Sequence, residues 1–183
     1  MTGKRLWQTI LLNLHRGSRS RGKYMKKIFA SCGDNVRFQI RVVPLYPELI
    51  KLGNNINISS GVSLITHDAI HAVYNTLHPS GEKLKEMAQC IQIDDNVFVG
   101  ANCSILGNVH IGSNVIISAN SLVNKDLQSG GVYGGVPAKR IGDFDSFWEK
   151  RITSTYPTIK HNQHPSEEEI KQAWEFFYTN RSL

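Results

Sequence analysis

Long apolar segments are missing from this sequence. The longest candidate, residues 6–14, is interrupted by Gln8, Thr9 and Asn13, whereas a helix that crosses a bilayer needs about 20 apolar residues. The same segment runs directly into residues 15–19 (HRGSR) and not into a small-residue cleavage site, so a secretory signal is not indicated. We therefore expect a protein that stays in the cytoplasm.

Cysteine is also scarce. Cys32, Cys90 and Cys103 are odd in number and show no paired CxxC spacing, so neither a disulfide framework nor a cysteine-ligated zinc site is predicted. We expect reduced thiols and no bound metal. A chain of 183 residues, 40% of them hydrophobic, is long enough to bury one sizeable core, and we expect one domain with terminal extensions.

Acidic residues are absent from the first 33 positions, where eight cations stand. They are Lys4, Arg5, Arg16, Arg19, Arg21, Lys23, Lys26 and Lys27. Because the whole chain carries +6, the remainder carries −2, and long-range attraction to anions belongs to this N-terminal arm. Two interpretations stay open: helices that cap the fold, and weak contact with an anionic membrane surface. Nucleic-acid binding is not favoured, because the basic residues are confined to a short arm without interleaved stacking aromatics.

An internal repeat runs through the middle of the chain. An aliphatic residue returns at every sixth position: Ile93, Val99, Ile105, Ile111, Ile117 and Val123. The same phase occurs earlier, at Leu52, Ile58 and Leu64. A period of six fits neither a helix nor a plain strand, but it fits a short strand and a turn repeated as the faces of a solenoid.

Asparagine marks the same point of each repeat. It stands three residues after each of five aliphatic positions: Asn96, Asn102, Asn108, Asn114 and Asn120. Asparagine tolerates left-handed backbone angles better than other non-glycine residues, and its side chain bonds locally in turns. We interpret the asparagines as corner residues with a structural role. The aliphatic residues then point inward and stack on their equivalents one coil away, at a strand spacing of about 4.8 Å.

These patterns resemble a known family. The hexapeptide repeat, the segment 134–139 (GGVPAK) and the segment 65–68 (ITHD) look like those of the left-handed β-helix acetyltransferases. The resemblance covers about residues 30–150. It implies a mainly β fold, a left-handed parallel β-helix built as a triangular prism, in a homotrimer whose active sites lie between subunits. Acetyl-CoA is the acyl donor that the resemblance implies.

The predicted organisation has three parts. Residues 1–30 form a basic helical cap, residues 31–140 the β-helix, and residues 141–183 a C-terminal extension. The repeat phase is lost over residues 66–92, which must leave the prism as an extruded loop, and such long excursions are usually functional. Ser166 and Glu169 form a capping-box pattern at the start of an amphipathic helix predicted over 166–180.

His67 is the candidate general base. Transfer of an acetyl group from a thioester to an alcohol needs a group that takes the hydroxyl proton, and an imidazole does this at physiological pH. His67 directly follows a regular coil, so rigid scaffold holds it, and it matches the histidine-bearing segment of the resembled family. Asp68 either orients the imidazole or binds the acceptor. His71, His78 and His110 are weaker candidates, since lone loop histidines are more often surface residues.

The resemblance also implies a site for the acyl donor. Small residues near the corners of adjacent coils would line the pantetheine path, and cations would meet the nucleotide phosphates. The small residues are Gly100, Ala101, Ser118 and Ala119, and the cations are Lys125, Lys139 and Arg140.

The acceptor is predicted to be a sugar or glycan hydroxyl. Four polar residues suit a ligand with several hydroxyls: Asn57, Tyr74, Asn75 and His78. The closing segment 139–150 also resembles that of surface-polysaccharide O-acetyltransferases, by analogy alone. An amino-sugar or xenobiotic acceptor stays open.

Two further function classes compete with the acyltransferase. A γ-type carbonic anhydrase shares the prism but binds zinc through three histidines; His67 and His71 have ligand spacing only within a helix, and His110 has no obvious partners. A non-catalytic prism used for assembly is the other, because a fold does not dictate a function.

Overall fold

The computed structural model describes residues 3–159 and 164–181. The predicted segments 1–30 and 141–183 therefore include positions that lie outside the described residues. Contacts divide the chain into two compact units between Ser146 and Phe147. The first unit holds the two N-terminal helices and the β-solenoid.

The solenoid is made of short strands in three sheets. Its elements are α1 (Gly3–Leu14), α2 (Ser18–Met25), β1 (Ser31–Cys32), β2 (Arg37–Phe38), a 3-10 turn (Pro47–Leu49), β3 (Ile50–Leu52), β4 (Asn57–Ile58), β5 (Ser63–Ile65), α3 (Ile70–Leu77), β6 (Ile91–Ile93), β7 (Val97–Val99), β8 (Ser104–Leu106), β9 (Val109–Ile111), β10 (Val115–Ile117), β11 (Leu122–Val123), β12 (Gly131–Gly134) and β13 (Lys139–Asp143). The sheets run β1-β3-β6-β9, β13-β12-β10-β7-β4-β2 and β11-β8-β5. All pairs are parallel except β12 with β13.

The register shows why the sequence repeats every six residues. Paired positions in the uninterrupted coils lie 18 residues apart: Ile93 with Ile111, Val99 with Ile117, and Ile105 with Val123. Three hexapeptides therefore make one coil, and each coil contributes one strand to each of the three sheets. The repeating aliphatic side chains are buried and form one continuous core. The predicted solenoid is confirmed.

The asparagines occupy the corners in the left-handed conformation. Their φ angles lie between 55° and 60°, as seen at Asn35, Asn55, Asn96, Asn102, Asn108, Asn114 and Asn120. Along one corner the amides also form a ladder. Asn35 donates to Asn55 at 3.0 Å, Asn55 donates to Asn96 at 2.9 Å, and Asn96 donates to Asn114 at 2.9 Å. The structural interpretation of the asparagines is therefore confirmed, with the ladder as an addition.

Replacing Asn96 tests the corner and the ladder separately. We expect Asn96→Ala to lower the free energy of unfolding by about 2–3 kcal/mol, because alanine tolerates the left-handed backbone poorly and also removes the amide bonds. Asn96→Gly allows the left-handed backbone without strain. It should lower the free energy of unfolding by about 1 kcal/mol, the contribution of the lost hydrogen bonds. Urea denaturation measures both values. Equal losses in the two variants would show that the backbone conformation contributes nothing.

Three of the apolar side chains of α1 face away from the core. The sequence places Leu6, Ile10 and Leu14 on one helical face, yet all three are exposed, whereas Leu12 is buried. The core also takes in Met25 of α2, together with Tyr24 and Phe29. The more polar face of α1 contacts the body. Its side chains form hydrogen bonds with residues 41–43.

Arg21 is a buried cation in this cap. Its guanidinium donates to the carbonyl oxygens of Phe38 at 2.8 Å, His15 at 2.9 Å and Arg16 at 3.1 Å. Burial, and then the nearby Arg41, lower the pKa of Arg21 from its ordinary value. Since its hydrogen bonds join the chain before α2 to β2, Arg21 fixes the cap on the first coil rather than adding to the surface charge.

The excursion from the prism contains a helix. Strand β5 ends at Ile65 and β6 begins at Ile91, so the excursion is slightly shorter than the predicted 66–92. Helix α3 lies within it, although no helix was expected there. Lys83 closes the end of α3 by donating to three carbonyl oxygens, those of Asn75, His78 and Pro79. The return segment is thus tied back to the helix.

The C-terminal part begins with the antiparallel β12–β13 hairpin, followed by α4 (Phe144–Ile152) and, in the second unit, α5 (Glu167–Thr179). The side chain of Ser166 accepts a hydrogen bond from the Glu169 amide at 3.2 Å, and the Glu169 carboxylate accepts from the Ser166 amide at 2.7 Å. This is the capping box that the sequence predicts. Among the described residues, no helix has the length and apolar content to cross a membrane.

Candidate functional site

His67 stands where the chain leaves the prism, and both of its flanks are held. The preceding residue, Thr66, is fully buried, and its hydroxyl donates to the carbonyl oxygen of Leu45. Its own carbonyl accepts from the Gln89 amide at 2.7 Å. His67 itself forms an isolated antiparallel bridge with Ala88. The imidazole therefore projects from backbone that is fixed on the β5 side and on the returning strand.

The imidazole of His67 lies partly buried beside a small cavity. Its Nδ1 atom is buried and has no hydrogen-bond partner among the described residues, which leaves Nε2 as the accessible ring nitrogen. The ring of Tyr46 meets it edge-on, with centroids 5.9 Å apart and an angle of 88°. A cavity of about 250 Å³ is lined by His67, Arg5 and Leu45, among others. The geometry suits a base that acts through Nε2 on a small ligand group.

Asp68 is engaged with the backbone of the excursion. Its carboxylate accepts from the Ile70 amide at 3.1 Å at the start of α3, and its own amide donates to Met87 at 3.2 Å. No hydrogen bond joins Asp68 to His67 within the described parts of the chain. Asp68 thus helps to fix the start of α3. No contact among the described residues supports a role for Asp68 in orienting His67.

The predicted acceptor residues fall into two places. Asn57 lies on β4 between Arg37 and Phe98 of the neighbouring strands, and its Oδ1 atom is buried without a partner. Tyr74 and His78 stack at the end of α3 with centroids 4.2 Å apart. None of these three contacts His67 through a hydrogen bond or ring contact in residues 3–159.

Asn75, the fourth predicted acceptor residue, has both polar ends in use. Its amide nitrogen donates to the Leu84 carbonyl at 2.9 Å, and its oxygen accepts from the Leu84 amide at 2.9 Å. This pair of bonds clips the return segment to α3. A ligand would have to break both bonds, so the geometry favours a structural role for Asn75.

The predicted donor residues lie at one corner of two successive coils. The Gly100 amide donates to Ile117 at 2.8 Å, and the Asn120 amide donates to Ala101 at 2.9 Å. Gly100 and Ala101 therefore stack on Ser118 and Ala119. A Cβ atom on Gly100 would stand 2.5 Å from the Ala119 nitrogen. Close stacking of the coils thus explains the glycine, where the sequence suggested room for a ligand.

The three predicted phosphate-binding cations differ in their surroundings. Arg140 donates to Asp143 and, at 3.0 Å, to the Gly130 carbonyl. Its hydrogen bond to Asp143 raises the pKa of Arg140. Lys125 and Lys139 are exposed and form no salt bridge with any described residue. The two lysines are therefore the cations left available to an anionic ligand.

Sequence reasoning missed two residues near the candidate base and underrated the burial of a third. Tyr46 packs on the His67 ring, and its hydroxyl donates to Glu86 at 3.0 Å. Arg5 donates to the Val43 carbonyl at 2.8 Å and lines the same cavity as His67. His71, taken for a surface residue, has its Nδ1 atom buried without a partner. No local pattern marks Tyr46 or Arg5, because each comes to His67 from a segment distant in sequence.

The remaining titratable candidates offer little chemistry. His110 lies on the outer side of β9 and its Nε2 is 2.8 Å from Asp94. Burial raises the pKa of Cys32 to about 11 and also raises the pKa of Cys103. In the described part of the chain, no three His, Cys, Asp or Glu side chains gather as a metal site would require.

Comparison with known proteins begins with the repeat. Residues 91–125 match the model of the bacterial transferase hexapeptide family. CapG of Staphylococcus aureus is 32% identical over 116 residues, 63% of this chain and 65% of CapG. YvoF of Bacillus subtilis is 32% identical over 111 residues, 60% of this chain and 58% of YvoF. The chain therefore spans less than two thirds of the length of these two relatives.

Solved structures agree on the fold. A galactoside acetyltransferase in complex with coenzyme A superposes with a TM-score of 0.53 at 25% identity, covering 89% of this chain and 88% of that one. A hexapeptide-repeat-containing acetyltransferase from Vibrio cholerae gives a TM-score of 0.52 at 19% identity, covering 77% and 89%. These neighbours imply that the solenoid is a left-handed β-helix. The chain thus carries the bacterial transferase hexapeptide repeat over residues 91–125 and resembles hexapeptide-repeat acetyltransferases in sequence and in fold.

Proposed function

We propose that the protein transfers an acetyl group from acetyl-CoA to a hydroxyl of a sugar or glycan intermediate, with His67 as general base. The observation that carries the proposal is the placement of His67. It projects from fixed backbone at the end of β5, with Nε2 accessible, beside a cavity of about 250 Å³. A proton acceptor held in this way contributes about 10²- to 10⁴-fold to a transfer reaction.

We propose the following course for the reaction. Nε2 of His67 takes the proton as the acceptor oxygen attacks the thioester carbonyl. The carbon–sulfur bond breaks, the acetyl ester forms, and the coenzyme A sulfur leaves with the proton that His67 returns. The charge that develops on the thioester oxygen needs hydrogen-bond donors, which backbone amides at a coil corner can supply. The Gly100 to Ala119 corner is our candidate for that path, with Lys125 and Lys139 for the phosphates.

The active site is proposed to be completed in a homotrimer. Two atoms support this: Nδ1 of His67 and Oδ1 of Asn57 are buried and have no partner among the described residues. An unsatisfied buried polar atom costs about 1–3 kcal/mol. A rearrangement on ligand binding or assembly that gave these atoms hydrogen-bond partners would recover that energy. The single chain thus carries the base and leaves part of its surroundings to be provided.

A sugar acceptor is supported by a named relative. Galactoside O-acetyltransferase of Escherichia coli is 26% identical over 140 residues, 69% of its length. The excursion also places Tyr74 and His78 side by side, with polar groups that suit a ligand rich in hydroxyls. An amino-sugar acceptor, which would give an amide, is the alternative within the same chemistry.

The experiment follows coenzyme A release from acetyl-CoA over a panel of sugars, nucleotide sugars, amino sugars and hydroxylated antibiotics. We expect release that depends on a hydroxylated sugar and a product that hydroxylamine cleaves, as it cleaves an ester. A hydroxylamine-resistant product would identify N-acetylation. If acetyl-CoA does not bind and no acceptor supports release, the acetyltransferase proposal is wrong and an assembly role for the prism is favoured.

A further inference from the structure

Helix α1 is seated on the body by its polar side. Arg5 and Asn13 donate to the carbonyl oxygens of Val43 at 2.8 Å and Arg41 at 2.7 Å, and the Val43 amide donates to the Thr9 hydroxyl at 3.2 Å. These side chains, with the buried Leu12, recur at spacings of three and four and so form one helical face. The body therefore holds α1 through hydrogen bonds, in the reverse of the usual amphipathic arrangement.

The opposite face of α1 is apolar and open. It consists of four large side chains: Leu6, 50% exposed; Trp7, 62%; Ile10, 43%; and Leu14, 71%. We call these four residues the α1 patch. Isolated exposed apolar residues are ordinary, but a contiguous set on one helix marks a surface that contacts something else.

The cations of the same segment indicate the kind of partner. Four of the eight are committed elsewhere: Arg21 is buried, Arg5 bonds to Val43, and Lys4 and Lys26 pair with Glu48 and Asp34. The other four are exposed and form no salt bridge with a described residue: Arg16, Arg19, Lys23 and Lys27. Much of the positive charge is therefore available to an external anion.

A basic cavity adds to this surface. It measures about 520 Å³ and lies between α2 and the first coil, lined by Arg19, Lys23 and Lys26 together with residues 33–36. Asp34 is the one acidic residue in the lining, and Lys26 neutralises it at 2.5 Å. Two cations thus remain for a bound phosphate.

We propose that α1 and α2 dock on an anionic lipid bilayer, with the α1 patch inserted at the interface and the α2 cations on the headgroups. Two features hold a helix at the surface of a bilayer: apolar side chains, such as tryptophan, that insert, and cations that contact the headgroups. The residues beyond the first 33 carry only −2 in total, so a second copy of the chain has little net negative charge to attract the arm. This inference goes beyond the proposed acetyl transfer and does not depend on it.

Flotation with vesicles tests the proposal on the full chain. The vesicles are phosphatidylcholine alone or phosphatidylcholine with phosphatidylglycerol. We expect binding to the anionic vesicles, weakened in high salt, and little to the neutral ones. Trp7→Ala should lower the partition coefficient about tenfold or more. The double variant Arg19→Gln with Lys23→Gln should lower it about 25-fold, since each cation near the surface contributes about fivefold.

Helix α5 supplies the matched control. Trp174 is 54% exposed on it, close to the exposure of Trp7, but the helix carries four acidic residues and one lysine. Trp174→Ala should leave vesicle binding unchanged. Equal losses in the Trp7 and Trp174 variants, or equal binding to both kinds of vesicle, would overturn the proposal.

Light scattering excludes the competing occupant. If Trp7→Ala lowers the molar mass of the assembly, the α1 patch is a contact between copies of this chain, and the lipid proposal is wrong. Circular dichroism melts of the variants serve as the control for folding. None of these measurements uses acetyl-CoA or an acceptor, so their failure would leave the proposed transfer reaction untouched.

Discussion

Replacing His67 by alanine should lower kcat for acetyl transfer by about 10²- to 10⁴-fold while leaving KM for acetyl-CoA nearly unchanged. In the proposed mechanism the imidazole acts when the acceptor proton moves, and the donor is held by other residues. Neither ring nitrogen makes a hydrogen bond within the described residues. The melting temperature should therefore change little. Initial rates of coenzyme A release, measured with the best acceptor of the panel, give the comparison.

His110→Ala is the matched control. His110 also stands on a coil of the solenoid, but on the outer side of β9, where it pairs with Asp94. Removing it should leave kcat within the error of the assay. An undiminished rate in the His67 variant would show that another group accepts the proton. A loss of the same size in both variants would indicate a general effect on the fold and would contradict the assignment.

Replacing Ile105 by alanine should lower the free energy of unfolding by about 2–5 kcal/mol. Ile105 is fully buried on β8, between Leu64 of β5 and Val123 of β11 in the same column. Alanine removes methyl groups from a stack whose neighbours are fixed by strand pairing on both sides. The stack therefore closes poorly around the cavity, and the loss belongs in the upper part of the range. Urea denaturation and the melting temperature measure it.

Two comparison variants make this prediction specific to the column. Ile105→Val removes one methyl group and should cost about 0.5–1.5 kcal/mol. Phe98→Ala removes a larger side chain that points out of the neighbouring strand and is 39% exposed, so it should cost clearly less than Ile105→Ala. If Phe98→Ala proves the more destabilising of the two, the outer surface of β7 is buried in the assembly, and Phe98 contributes to stability through contacts between copies.

The stability prediction also bears on the site. Leu64 packs against Ile105 and lies three residues before His67 along β5 and its continuation. Looser packing there should move the imidazole by small amounts, which reduces the rate of a positioned base. We expect the folded fraction of Ile105→Ala to keep more activity than His67→Ala, since the base is still present. Rates measured well below the melting temperature separate this effect from unfolding.

The repeat made much of the fold predictable. A side chain at Ile105 must be buried if Leu64 and Val123 are, because a strand pairs with its equivalents in the coils before and after it. Asn96, at its position in the repeat, predicts a corner with a left-handed backbone conformation. Both inferences depend on spacing alone, so they hold without knowledge of any contact. The point where the chain leaves the prism, beside His67, was predictable for the same reason, because the spacing fails there.

The surroundings of the base could not be read in this way. Tyr46 and Arg5 come to it from other parts of the chain, and no interval in the sequence connects them with His67. The side-chain amide of Asn75 is of a type that binds sugars, yet both of its polar ends form hydrogen bonds with the backbone of Leu84. A polar side chain has the same hydrogen-bonding groups in either role, and its partner decides which role it fills.

The sequence by itself determined the coils, their corners and the place where the chain leaves them, because those depend on local backbone preferences and a strict period. Only the tertiary structure decided which way the amphipathic elements face. Helix α1 has one polar and one apolar side, and its period shows two faces without showing which is buried. Hydrogen bonds between α1 and residues 41–43 settle that question. They turn Trp7 and its neighbours outward, because a burial pattern is set by the surface that a helix meets.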